Sequence, residues 1–573
     1  MSIIDFFFDT QGAMPEIEYD VCIVGSGAGG GMAAWALTRA GAKVVMLEAG
    51  PAWYASRDST MLMPSYATMR RGRSTRTRPF GEHDACDGGW EIDGEPYTRA
   101  PGSSFDWWRA RMLGGRTNHW GRISLRFGPR DFKVKSHDGL GDDWPISYDD
   151  VAPYYDRVDD LIGVFGSMEG RPNDPDGRFQ PAPRPRGYEL LVKKASDALG
   201  IPCIPSRLSI LTKPLDGRAP CHYCGSCNRG CTVKANFSSP DVLIAPALAT
   251  GRLTLVTEAM AREVTTGRDG LATGVAYIDK RSGEDRHVKA RVVVLAASAC
   301  ETARILLNSR SSTHPQGIAN QGGVVGRYLT DTTGTDVAGF IPAMVDLPPA
   351  NETGVGGGHV YMPWWGDASS LGFPRGYHIE VWGGRGEPGY GFMGGIHRYP
   401  GAGGYGAKLK ADYRRYWGAT IGFSGRGEMV PNKDSFCELD PSVVDRYGIP
   451  VLRFHWKWGE SELLQVKHMQ ETFRSLVAAM GGTVFSPMPT KEQGYGIAPG
   501  GRIIHELGCV RMGDDPQTSA VDVNCRAHDC RNVFVADGGS FVSQPDKNPT
   551  WTILALSWRT ADFITAQRKQ GAL

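Results

Sequence analysis

The sequence predicts an α/β protein, α+β overall, with a Rossmann-like nucleotide-binding domain interleaved with a β-rich domain built on an antiparallel sheet with flanking helices. Three observations predict it. A short apolar strand near the start runs into a glycine-rich turn and then a helix. Strand and helix return near the end of the chain. Between them lies a Gly- and aromatic-rich stretch of alternating character. The boundaries that follow are 1–332 for the nucleotide-binding part, 333–500 for the inserted part and 501–573 for the return.

Residues 18–24 form the first strand, and Gly25-Ser-Gly27-Ala-Gly-Gly30 follows it. A helix runs through 32–40 and stops at Gly41; residues 42–47 form a second strand ending in Glu48. Residues 55–110 and 125–190 read as loop excursions, with a helical stretch at 185–200 and a cysteine run at 221–231. Strands follow at 253–256, 274–278 and 292–296, then a helix at 302–308. Residues 333–490 read as antiparallel sheet, and the chain closes with a strand at 532–536 and a helix at 550–565.

Composition excludes several classes. The 63 Lys and Arg balance 62 Asp and Glu, so no strong field favours nucleic acid. No apolar run reaches the roughly 18 residues of a membrane span. Residues 1–9 lack a basic region before their apolar stretch, so no secretory signal of its own is expected. Arg70-Arg71 stands too far in to act as a twin-arginine signal. The 75 glycines carry no collagen period and point to turns and close backbone approaches.

Gly25, Gly27 and Gly30, between a strand and a helix, fit a dinucleotide cradle. The first permits the turn, the second admits a pyrophosphate and the third lets helix pack on strand. Glu48, 18 residues beyond Gly30, would accept from ribose hydroxyls. The motif serves FAD and NAD alike. A second glycine loop holds Gly114, Gly115, Asn118 and His119, and is too polar for a core strand. Near the end stand His505-Glu-Leu-Gly508, then Asp537-Gly538, then Asn548-Pro549-Thr550 at the start of the final helix. A helix N-terminus there would stabilise a reduced flavin, and a neutral His beside an Asn suits alcohol oxidation.

At these residues the sequence resembles the glucose-methanol-choline (GMC) oxidoreductase family over nearly its whole length. The resemblance rests on Gly25–Gly30 with Glu48, the loop from Leu113 to Trp120, Trp144-Pro145-Ile146, the segment from Ala296 to Arg304, His505–Gly513, Val533–Gly538 and Asn548–Thr550. It implies bound FAD, hydride transfer to flavin N5, His505 as the catalytic base and Asn548 as its partner. Gly114, Gly115, Asn118, His119, Asp537, Gly538, Pro549 and Thr550 would then face the cofactor. In the pyranose-oxidase branch the His of this loop is joined covalently to flavin; sugar dehydrogenase branches carry a His-Trp here without that bond. The nearest branches are the glucoside 3-dehydrogenases and gluconate dehydrogenases, which implies oxidation of a secondary hydroxyl on a sugar or glycoside. A pyranose-oxidase-type sugar or C-glycoside oxidase is the alternative, and a non-catalytic flavoprotein or electron-transfer subunit a further one.

Cys221-x-x-Cys224-x-x-Cys227-x-x-x-Cys231 has thiolate spacing that can wrap an iron–sulfur cluster. Free or disulfide-bonded cysteines and a zinc site are the other readings. Multisubunit members that the chain resembles carry a [3Fe–4S] cluster in this region. The spacing here is ferredoxin-like, so a [3Fe–4S] or a [4Fe–4S] cluster is implied, feeding a cytochrome c. Such enzymes are exported folded with a small subunit carrying the signal, so a periplasmic or a cytoplasmic location is expected. The remaining eight cysteines read as scattered core residues, with Cys525 and Cys530 a candidate pair. Trp364 and Trp382 are candidate sugar platforms, Gly383–Gly386 a lid or turn, and Trp456 and Trp458 read as one face of a strand with His455 on the other.

Overall fold

The computed structural model describes residues 18–61, 63, 87–346, 354–366, 370–385 and 395–573. The N-terminal stretch read for a signal, Arg70-Arg71, Cys86 and Gly386 lie outside the described residues.

Strand Tyr19–Val24, helix Ala28–Arg39 and strand Val44–Glu48 build the opening βαβ unit. Tyr19–Val24 pairs in parallel with Val44–Glu48 on one side and with the far half of the long strand Glu284–Leu295 on the other. Leu253–Thr257 and Val533–Val535 extend the parallel set at its two ends. The near half of Glu284–Leu295 turns antiparallel against Ala272–Asp279, which pairs with Ala259–Thr266. The central strands are Val- and Ile-rich and buried on both faces, as a parallel sheet covered by helices requires. The 20-residue helix Thr550–Lys569 packs against Ala28–Arg39 and brings the end of the chain back to its beginning.

A second sheet of six strands has the order Thr483–Val484, Asp336–Phe340, Thr420–Gly427, Tyr377–Gly383, Val360–Met362 and Ile204–Pro205, all antiparallel. Helix Glu460–Ala479 lies over it through Val466, Met469, Phe473, Leu476 and Val477. This core is separate from that of the nucleotide sheet. It is the antiparallel, aromatic-rich region that the alternating pattern predicted.

Three readings need correction. The stretch 125–190 is not loop alone: it contains the 15-residue helix Tyr148–Ile162, whose Pro153 obscured it. Ser147 starts that helix, with Asp150 accepting from both its N–H and its hydroxyl at 2.8 Å. Trp456 and Trp458 do not share a strand face, because the strand Pro450–His455 ends before them. Their rings meet edge-on, 5.0 Å apart, in the turn leading to the next helix. Among the described residues every cysteine is free, so Cys525 and Cys530 are not bonded. No described helix is long and apolar enough to cross a membrane.

Candidate active site

The three glycines of the first turn meet different surroundings. Gly25 takes φ 96°, and a Cβ there would stand 2.3 Å from the Ala296 carbonyl oxygen. A Cβ on Gly30 would stand 2.0 Å from the Gly25 carbonyl oxygen, so this position holds helix against strand. A Cβ on Gly27 would meet nothing within 4 Å, and the residue lines a cavity of about 350 Å³. An open approach at the start of helix Ala28–Arg39 suits a pyrophosphate. Buried Glu48 accepts from Ser26 N–H at 3.2 Å, from the Ser26 hydroxyl, and from Gly50 N–H at 2.8 Å. It lines the same cavity, where a ribose would meet it. Burial pushes its carboxyl above the usual range, with these bonds opposing.

Gly114 takes φ 89° and opens the short turn Gly115–Asn118; its N–H donates to Ser26 Oγ at 2.8 Å and ties the two glycine loops together. Gly115 and His119 line the cavity. Asn118 is turned to the loop itself, with Nδ2 donating to the Leu113 carbonyl at 2.8 Å. Trp108 Nε1, which can only donate, lies 3.2 Å from His119 Nε2, so the proton of neutral His119 resides on Nδ1. Asp537, Gly538, Pro549 and Thr550 complete the wall. Asp537 accepts from Thr302 Oγ1 (2.6 Å), Ser298 N–H (3.0 Å) and Gly539 N–H (2.8 Å). Burial still lifts its carboxyl to about 6. The first turn of helix Thr550–Lys569 has no side-chain cap, leaving its positive end to the cavity.

His505 and Asn548 meet at the edge of this cavity. Asn548 Nδ2 lies 3.3 Å from His505 Nε2 and 3.3 Å from Glu380 Oε1. Thr332 Oγ1 lies 2.9 Å from His505 Nδ1, and Asp331 Oδ1 accepts the His505 backbone N–H at 3.0 Å. Burial first, then the positive Arg426, depress the imidazole to about 3, so His505 is a neutral acceptor at Nε2. Burial and the neighbouring Glu506 lift Asp331 to about 7.

A second cavity of about 520 Å³ shares Gly121 and Ile123 with the first. Glu380, His378, Arg426 and the half-exposed Trp382 line it. Glu380 pairs with Arg426 at 2.8 Å; burial opposes its charge, but Arg426 and His378 hold it down to about 2. Trp364 instead packs into the second core, against Tyr377, Phe373 and His468. Thr332, Asp331, Glu380 and Arg426 carried no motif that would have marked them.

In the cysteine run, Cys227 and Cys231 are buried and Cys221 and Cys224 half-buried. Burial lifts Cys221 to about 12, with the other three thiols adding to it. No three of these sulfurs lie within 4.8 Å of one another, whereas a lone tetrahedral ion would hold them about 3.8 Å apart. Four thiols are the donor type that an iron–sulfur core takes, and these four are not gathered around a single ion. Buried Arg122 donates to the Trp120 and Asn118 carbonyls and is near enough to Cys227 and Cys231 to feel charge on them.

A nucleotide cavity that brings two helix N-termini to a neutral His–Asn pair defines a cofactor-dependent enzyme oxidising CH–OH groups. The N-terminal model of the GMC oxidoreductases matches residues 29–333 and the C-terminal model 431–557. The chain belongs to the GMC oxidoreductase family, whose members bind FAD. It is 29% identical to 2-methyl-1,2-propanediol dehydrogenase of Mycolicibacterium austroafricanum, covering 96% of this chain and 95% of the relative. Similarity to paromamine 6'-oxidase of Streptomyces fradiae is 28%, over 95% and 91%. Similarity to the fructose dehydrogenase large subunit of Gluconobacter japonicus is 27%, over 97% and 99%. Pyridoxine 4-oxidase from Mesorbium loti shares the fold at a TM-score of 0.61 and 17% identity, over 95% of this chain and 99% of that one.

Proposed function

We propose that the protein is an FAD-dependent dehydrogenase that oxidises a secondary hydroxyl of a sugar or glycoside. The observation that carries this reading is the pairing of His505 Nε2 with Asn548 Nδ2 in the nucleotide cavity, with Glu380 of the second cavity 3.3 Å from the same amide. His505 takes the hydroxyl proton at Nε2, while Thr332 keeps the other ring nitrogen protonated. Asn548 donates to the same substrate oxygen and aligns the carbon, and Glu380 holds the amide by its second hydrogen. Glu380 and Arg426 offer an acceptor and a donor to neighbouring hydroxyls, and Trp382 offers a ring face. Gly27 and the start of helix Thr550–Lys569 would hold the FAD diphosphate and flavin ends, with Glu48 on the ribose. FAD supplies the hydride acceptor when bound.

For electron exit, the reading assigns a [3Fe–4S] or [4Fe–4S] cluster to Cys221, Cys224, Cys227 and Cys231. The likeness to a fructose dehydrogenase large subunit supports a partner subunit. The reading adds a cytochrome c as acceptor and co-export to the periplasm, with a cytoplasmic enzyme as the alternative. A second reading, an oxidase returning electrons to O₂, is supported by the equal likeness to paromamine 6'-oxidase. Iron and acid-labile sulfide at about three to four per chain, with no peroxide formed aerobically, support the dehydrogenase. Peroxide release without added acceptor, in iron-free protein, contradicts it.

A further inference from the structure

Cys300, Cys437 and Cys509 converge in the core, their sulfurs all within 4.8 Å of one another. They come from three separate segments: the first turn of helix Ala299–Asn308, the strand Phe436–Val444, and the loop that follows His505. The Cys437 and Cys509 sulfurs are 3.9 Å apart, and all three residues are buried. None belongs to the 221–231 run, and none lines the nucleotide cavity.

The backbone fixes this meeting. Cys437 N–H donates to the Gly326 carbonyl at 2.9 Å, and Gly326 N–H donates to the Cys509 carbonyl at 2.6 Å. A Cβ on Gly326 would stand 2.0 Å from the Cys437 carbonyl oxygen, so only glycine allows the approach. Cys509 itself sits at φ 70°, a region that side-chain-bearing residues rarely occupy. A single buried cysteine is an ordinary small apolar residue. Three held with converging sulfurs are a ligand set.

Burial works against charge on Cys300 and Cys509, and charged groups of both signs stand near the three sulfurs. Cys300 lies at the positive end of a ten-residue helix, and Arg116 is close enough to feel its charge. Glu438 near Cys437 and Glu506 near Cys509 oppose it.

We propose that Cys300, Cys437 and Cys509 form a three-sulfur site for one Cu(I) ion behind the wall of the flavin cavity. Metal–sulfur bonds of about 2.3 Å place three trigonal sulfurs about 4 Å apart, against the 3.9 Å observed. Zn²⁺ takes four ligands, and among the described residues no fourth His, Cys, Asp or Glu joins the group. Soft thiolates suit Cu(I), which a trigonal set of three satisfies without a fourth ligand. The ion binds without change of oxidation state, and each thiol that becomes a ligand releases its proton. Bound there, it clamps together the three segments that supply the cysteines, one of which carries His505.

The test is metal retention by FAD-loaded protein treated anaerobically with Cu(I), or in parallel with Zn²⁺, and then desalted against a competing chelator. The expected result is about one copper per chain and no zinc, falling at least about tenfold in Cys437→Ser and Cys509→Ala. FAD content reports whether each variant still folds, and Cys224→Ser retains its copper. Copper-edge absorption of the unaltered protein shows three sulfur neighbours, a readout that needs no variant. No copper retained, copper undiminished in folded Cys437→Ser, loss in Cys224→Ser, or nitrogen and oxygen neighbours at the metal would overturn the proposal.

Discussion

Thr332 Oγ1 lies 2.9 Å from His505 Nδ1, across the imidazole from the Asn548 amide. The amide nitrogen only donates, so His505 Nε2 accepts, and the ring proton sits on Nδ1 facing the threonine. Two neutral groups on opposite sides of the ring thus select one tautomer, the one with its lone pair where a substrate hydroxyl would arrive.

Thr332→Val removes that selection and leaves the apolar volume in place. Flavin reduction by substrate is expected to slow about 10- to 100-fold, with KM changed little and FAD retained. Thr332→Ser restores most of the rate, which a merely structural role for the methyl group would not allow. Stopped-flow absorbance in the absence of oxygen checks both.

Glu380 holds Asn548 by a hydrogen bond and reaches His505 only through its charge. Glu380→Ala frees one amide hydrogen of Asn548 and leaves Arg426 unpaired at the second cavity. A fall of about tenfold in kcat/KM is expected, carried mainly by KM. Unchanged kinetics across sugars and simple alcohols alike would remove Glu380 from substrate positioning.

The pH dependence separates two buried groups. His505 is held at about 3, below the ordinary value of about 6.5, so the unfolded chain takes up its proton first. Stability linked to His505 is therefore intact above about pH 6.5 and is lost as pH falls toward 3. Asp331, raised to about 7, works the other way: the folded state keeps its proton, and stability declines as pH rises from about 4 to 7. Melting temperatures across pH 4–8 should therefore show a weaker acid-side decline in His505→Gln and a weaker alkaline-side decline in Asp331→Asn, where Asp537 still contributes. The kcat/KM profile should show no acid limb near pH 6.5 arising from His505.

Gly27 and Gly30 should fail differently. Gly27→Ala meets nothing within 4 Å and folds normally, but its methyl intrudes where the pyrophosphate approaches; FAD affinity is expected to fall at least about tenfold. Gly30→Ala drives a methyl against the Gly25 carbonyl, so it lowers the stability of the protein itself by about 1–3 kcal/mol. Flavin titration and denaturant unfolding, run on both, distinguish the two roles.

The glycine turn, Glu48 and the final helix were legible because their chemistry needs fixed residue types at short, fixed spacing. His505 and Asn548 were legible as motifs, although 43 residues apart, because each sits in a local pattern of its own. Thr332 and Glu380 were not, since a strand end and an inserted sheet deliver them and any threonine or glutamate looks alike in sequence. The same holds for Cys300, Cys437 and Cys509, which the spacing presents as scattered core residues and the fold brings within 4.8 Å. The helix Tyr148–Ile162 was hidden by Pro153, which its capping Ser147 and tertiary packing tolerate.

The central claim, that His505 is the base for hydroxyl oxidation by bound flavin, meets its most direct test in an anaerobic absorbance titration. Purified protein and His505→Ala, each loaded with FAD, are titrated with glucose and glucosides. The parent should bleach its flavin band with substrate, while His505→Ala keeps its FAD and bleaches at least about 100-fold more slowly. Bleaching of the variant at the parent's rate, with FAD intact, would contradict the assignment of His505 as that base.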